Sequence, residues 1–152
     1  MKKYTLALIV CCAAATGACV GYENKTTVTS PSGTTIAALM GTWASASAGV
    51  IPSASSCADF KWNATELTPT AAKGSFSATC AGDLKLAGTA EGTLSGSTIS
   101  WSAAGNATVA SLPSCAITLN GTAELGVNSI RVPYNGTTCL GPVSGVEVLN
   151  KK

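Results

Sequence analysis

The sequence predicts an all-β domain, either a small closed up-and-down antiparallel barrel or a two-sheet sandwich, carrying two disulfide-stapled hairpins. Three observations predict it. Short runs of alternating apolar and polar residues recur after residue 45, turn-forming residues separate them, and four cysteines bracket two of the resulting hairpins. A period of two puts every second side chain on one face, so alternation repeated at this density means half-buried antiparallel strands.

The chain begins with Lys2 and Lys3, continues as an apolar run from Leu6 to Ala15, and reaches Thr16-Gly17-Ala18-Cys19. A basic start, a short apolar core and small residues before a cut are the marks of an export signal, here residues 1–18. The run is about ten residues, half of what a bilayer-spanning helix needs, which argues against a permanent transmembrane anchor. Gly17-Ala18-Cys19 resembles the lipobox of bacterial lipoproteins, with Thr16 where that family usually has Leu or another aliphatic residue. The resemblance implies cleavage after Ala18 and acyl chains on Cys19. Val20 after the Cys, rather than Asp, implies sorting to the outer membrane, facing the periplasm or the cell surface. Simple secretion, with a soluble secreted or periplasmic product and a bare Cys19, is the alternative.

Behind Cys19, the stretch to Thr34 is rich in Gly, Pro, Ser and Thr and reads as a flexible tether over residues 19–34. A single β domain over 35–152 follows, a usual size for one core. Ile36, Leu39, Met40 and Trp43 are spaced as one apolar helical face, and Gly41 ends it, so a short helical turn precedes the first strand. Gly41-Thr42-Trp43 resembles the Gly-x-Trp opening of lipocalin-type barrels, where it closes the barrel floor, and the Gly-Thr-Trp start of avidin-like barrels. Strand alternation then appears at Leu84 and Leu86, Ile99 and Trp101, Ile117 and Leu119, Ile130 with Val132 and Tyr134, and Val146 and Val148. Turn signals fall at Ser95-Gly96-Ser97, Gly105-Asn106, Gly126-Val127-Asn128 and Gly141-Pro142. Asn120-Gly121 and Asn135-Gly136 read as turn or bulge residues that tolerate positive φ.

Cys11 and Cys12 belong to the discarded segment, and the four cysteines of the domain allow three connectivities. One hairpin runs Ala58 to Trp62 and returns as Ser75 to Thr79 through Thr68-Pro69-Thr70; the other runs Ala116 to Leu125 and returns as Ser129 to Tyr134. Folding each about its middle brings its own cysteines opposite, which favours Cys57–Cys80 and Cys115–Cys139. Phe60 and Trp62 share parity with Phe76, whereas Cys57 and Cys80 do not share it with each other. One-residue bulges near the cysteines, or placement of Cys57 in a loop, would reconcile the two.

Charge and composition exclude several functions. The formal charge is +2, and beyond the signal acidic and basic residues balance, with adjacent cations only at Lys151-Lys152. A nucleic-acid partner therefore has no electrostatic footprint. The chain contains no histidine, which excludes Ser-His-Asp and Cys-His chemistry and removes the commonest metal ligand. No catalytic residue, metal site or cofactor is assigned. Trp43, Trp62, Trp101 and Tyr134 are candidates to line a barrel pocket against a small apolar or glycan ligand. The competing reading makes them the bulk that a core rich in Ala needs. Asp59 with Glu66, or Glu91 with Glu124, are the carboxylate pairs a glycoside hydrolase would use, but acidic residues scattered singly along strands read as a solvated face.

The sequence thus points to an exported, lipid-anchored cell-envelope protein, a structural or binding module rather than an enzyme, held to the membrane through Cys19. A carrier of a small apolar ligand and a carboxylate-only glycan hydrolase are the alternatives. No protein partner follows from the residues.

Overall fold

The computed structural model describes residues 35–110 and 112–152, which form a closed barrel of antiparallel strands in simple chain order. The strands are β1 Gly41–Ser45, β2 Cys57–Leu67, β3 Ala71–Cys80, β4 Leu84–Ser95, β5 Thr98–Val109, β6 Leu112–Leu125, β7 Ser129–Thr138 and β8 Gly141–Lys151. Each pairs with the next, and β8 returns to pair with β1 through Trp43↔Lys151, Ala44↔Asn150 and Ser45↔Leu149. Pairing of every strand with two neighbours, β1 with β8 included, decides for the barrel over the sandwich. The export signal, Cys19 and the tether predicted over residues 1–34 lie outside the described residues.

At this strand number the interior is just wide enough for side chains to fill it. Alternate residues turn inward along every strand, among them Phe60, Phe76, Leu84, Leu86, Ile99, Ile117, Leu119, Ile130 and Val132, with Ala64, Ala72, Ala78, Ala103, Ala107 and Ala123 between them. One end is plugged by a 3₁₀ turn, Ile36–Leu39. Leu39 is fully buried, Trp43 donates its indole N–H to the Leu39 carbonyl at 2.9 Å, and Lys151 donates to the Ala38 carbonyl at 2.8 Å while lying 5.4 Å from the centre of the Trp43 ring. Met40, predicted on the apolar face, is exposed instead. A 3₁₀ turn aligns positions three apart, which groups Ile36 with Leu39 and leaves Met40 outside.

Both predicted disulfides form, Cys57–Cys80 and Cys115–Cys139, and both lie at the end opposite the plug. The predicted bulge is present: the β2–β3 register shifts between Ala58 and Lys61, where Asp59 adopts a φ of 53°. The extra residue lets Cys57 and Phe60, of opposite parity, both face the core.

Three predicted turns are corrected. Gly105-Asn106 lies inside β5, Asn120-Gly121 inside β6 and Asn135-Gly136 inside β7, and none of these residues has positive φ. Gly74, Gly88, Gly105, Gly121, Gly136 and Gly145, one on each strand from β3 to β8, instead sit where a Cβ would collide with the neighbouring strand. At all but Gly145, which meets the Tyr134 ring, the atom approached is the neighbouring backbone, and the missing side chain permits that close approach.

One strand has its faces reversed from the expected pattern. Val146 and Val148 point outward, 54% and 40% exposed, while Glu147 between them is half-buried on the inner side. The inward set of β8 is Val143, Gly145, Glu147 and Leu149, because Gly145 must face the Tyr134 ring, which leaves no room for a side chain.

The two bridges close spans of 23 and 24 residues, and loop-closure entropy at that length corresponds to about 3 kcal/mol each. Replacing Cys115 and Cys139 together by Ser is expected to lower the urea-unfolding free energy by about that amount, about 3 kcal/mol. An unchanged unfolding midpoint would show that the bridge does not constrain the unfolded chain.

Candidate functional site

The four aromatic candidates do not converge. Trp62 and Trp101 line an interior cavity of about 60 Å³ together with Phe60, Phe76, Ile99 and Leu119. Gly92 and Gly121 stand opposite Trp101 on its two neighbouring strands, leaving space for the indole between them. The indole N–H groups of Trp62 and Trp101 are buried without a hydrogen-bond partner. Trp43 belongs to the plug, its N–H already used. Tyr134 sits toward the other end. A cavity of this size is well below the roughly 150 Å³ in which an engineered protein cavity holds benzene, so an acyl chain does not fit the interior as it stands.

The carboxylate pairs are also dispersed. Glu66 and Glu91 stand on the outer surface opposite Lys73, on either side of it, and Glu124 stands opposite Arg131. These are cross-strand neighbours of opposite charge, which favour the register of the sheet. Asp59 lies at the disulfide end of β2, and Glu66 lies toward the other end.

What the structure does bring together is a seam in the wall beside β1. That strand has only 5 residues, whereas its neighbours β2 and β8 have 11 each. After Ala46 donates to the Val148 carbonyl at 2.7 Å, the chain leaves the wall as the loop 46–56 and touches β8 again where Ser144 donates to the Ser55 carbonyl at 2.9 Å. Between those bonds Val146 turns its backbone N–H and C=O to the same edge, with no strand opposite. The exposed edge of β2 is satisfied by a side chain: the Tyr134 hydroxyl accepts from the Cys57 N–H at 2.7 Å and donates to the Cys57 carbonyl at 3.0 Å. Its ring crosses β8 over Gly145 and packs 5.0 Å from Phe60.

A cleft of about 390 Å³ opens at this seam, lined by Val50, Ile51, Tyr134, Val146, Glu147 and Val148 among others. Among the described residues, Glu147 is its only charged wall residue. Asp59 is near enough to act on it electrostatically, and holds the loop through a bond from the Gly49 N–H at 2.8 Å. Burial pushes the Glu147 pKa above the ordinary glutamate value, the neighbouring Ser45 hydroxyl and Val148 backbone pull it down, and Asp59 raises it further. Ser45 Oγ is itself buried without a partner inside hydrogen-bond distance. Burial likewise raises the Tyr134 pKa, against the pull of its bond to Cys57. Sequence reasoning missed Glu147 because Val146 and Val148 on either side gave the strand the opposite facing.

Fold and site together define a closed eight-stranded up-and-down β-barrel with a nearly filled interior and a lateral cleft. No protein-family model, no curated protein and no solved structure matches the chain.

Two outcomes follow from the seam. Tyr134→Phe removes both bonds to Cys57 and leaves its buried N–H and C=O unpaired, at an expected cost of about 1–3 kcal/mol in urea unfolding; a cost near zero would show that water replaces the hydroxyl. Glu147 has a folded pKa raised above its unfolded one, so its stabilising contribution is full below the ordinary glutamate value and is lost as pH rises through the folded value. Glu147→Gln, which keeps the shape without the charge, is therefore expected to raise the unfolding midpoint at neutral pH and to leave it unchanged in acid. A lower midpoint at neutral pH would mean that the carboxylate is favourably paired.

Proposed function

We propose that this chain is an exported cell-envelope protein, cleaved after Ala18 and anchored through a lipid on Cys19, whose barrel serves as a structural or binding module. The observation that carries the proposal is the pairing of all four cysteines of the barrel into two disulfides. Such bonds form and persist in an oxidising compartment, which is where an export signal sends a chain. Lys2, Lys3, the apolar run from Leu6 to Ala15 and Gly17-Ala18-Cys19 supply that signal and a residue for acylation. More than one acyl chain makes attachment stable, since each buried methylene contributes about 0.8 kcal/mol. The barrel suits a module rather than a carrier because its aromatic side chains fill the interior that a cargo would need.

Metabolic labelling with a clickable fatty acid is expected to mark the protein and to fail in Cys19→Ser. Label that persists in Cys19→Ser, or no label on the unaltered chain, would overturn the anchor.

A further inference from the structure

We propose that the cleft between the 46–56 loop and β8 is a binding site for a small organic cation, an ammonium group on an apolar body, with Glu147 as its counter-charge. The proposal rests on the binding-module reading and supplies its ligand class.

Three independent features of the cleft meet this chemistry. Its volume, about 390 Å³, falls in the range of small-molecule sites, roughly 300–1,000 Å³. Its walls are apolar at Val50, Ile51, Val146 and Val148, and all four are exposed, Ile51 to 90%. Among the described residues its single charge is the Glu147 carboxylate, with Asp59 adding negative potential and no basic residue in the lining. The Val146 carbonyl opens on the same edge and is a further acceptor, while an ammonium group has three donors and no acceptor. An anionic ligand would meet repulsion from Glu147. A neutral apolar one would strip water from the carboxylate and return nothing. A cation with an apolar body answers both the charge and the walls, and partial burial strengthens its attraction to the carboxylate.

The reversed face of β8 supports the same site. With the valines inside and Glu147 outside, the strand would have read as an ordinary half-buried strand. Instead the acid is half-buried on the inner side and the exposed valines line the cleft from outside. A local rule broken in this way is expected at functional positions.

The test is an NMR titration of the full chain recovered from cells in its disulfide-bonded form, using n-hexylammonium, with hexanoate and 1-hexanol as controls. Hexylammonium is expected to shift amides of the 46–56 loop and of Gly145 to Val148, with hexanoate silent and hexanol much weaker. Glu147→Gln should weaken hexylammonium binding by roughly tenfold or more, as loss of a charge-assisted bond does. Equal responses to hexanol and hexylammonium, no response to hexylammonium, or undiminished binding by Glu147→Gln would each overturn the proposal. Should that variant fail to fold, Ile51→Ser on the exposed loop serves instead and is expected to weaken binding through the apolar wall; undiminished binding there counts against the site. Fatty-acid labelling of the same preparation reads the anchor separately, so failure of the anchor and failure of the cleft are distinguishable.

Discussion

Where β1 runs out, one hydroxyl stands in for a missing piece of strand. β1 ends at Ser45, and past that point β2 and β8 face each other across a gap with their backbone groups turned toward it. An unpaired buried amide costs as much as a lost hydrogen bond, so the gap must be answered. Tyr134 does this from β7, passing over β8 to exchange two hydrogen bonds with Cys57. Other features depend on it. Gly145 is without a side chain because the ring crosses there, and its inward position sets the facing of β8. The bulge at Asp59 turns Cys57 inward to meet both the hydroxyl and Cys80.

The two ends of the barrel are secured by different means. At the plug, Leu39, Trp43 and Lys151 combine burial, a hydrogen bond and a cation over an aromatic face. At the far end both disulfides take over, and the reason is compositional. Many inward positions are Ala or Gly, which bury little apolar area per residue, so hydrophobic stabilisation is modest. Covalent links stabilise without needing bulk. The large side chains Phe60, Trp62, Phe76 and Trp101 gather around the interior and leave only a small cavity.

How much of this could be read beforehand depended on the range of the determining interaction. Ile99, Ile117, Leu119, Ile130 and Val132 face inward as period two requires, because burial of alternate positions is a local pattern. The cysteine pairing followed from hairpin geometry within a couple of dozen residues, which left a bulge or a loop at Cys57 open until the register showed the bulge. The inward glycines did not. Gly105, Gly121 and Gly136 follow or precede Asn, and a Gly-Asn or Asn-Gly pair is equally at home in a turn; only the approach of the next strand shows that their missing Cβ matters. The aromatic candidates were legible as inward residues, but their separation into plug, cavity and seam is set by height along the barrel, which alternation does not encode.

The Val146-Glu147-Val148 triplet is the sharpest case. Taken alone, two valines around a glutamate have one low-energy facing, with the valines buried and the acid in water. The opposite facing exposes two apolar side chains and partly desolvates a carboxylate, and both changes are unfavourable. Neither Val146 nor Val148 can choose, because Gly145 and Leu149 are bound to the interior by Tyr134 and by pairing with Ser45. The strand's facing is therefore decided by a contact between β7 and β2 that passes over it. The local cost falls on the one stretch of wall that also lacks a neighbouring strand, where the loop's own exposed Val50 and Ile51 stand beside it. An apolar rim around a partly buried acid is thus a direct consequence of how the seam is sealed, and it leaves the carboxylate short of a positive partner among the described residues.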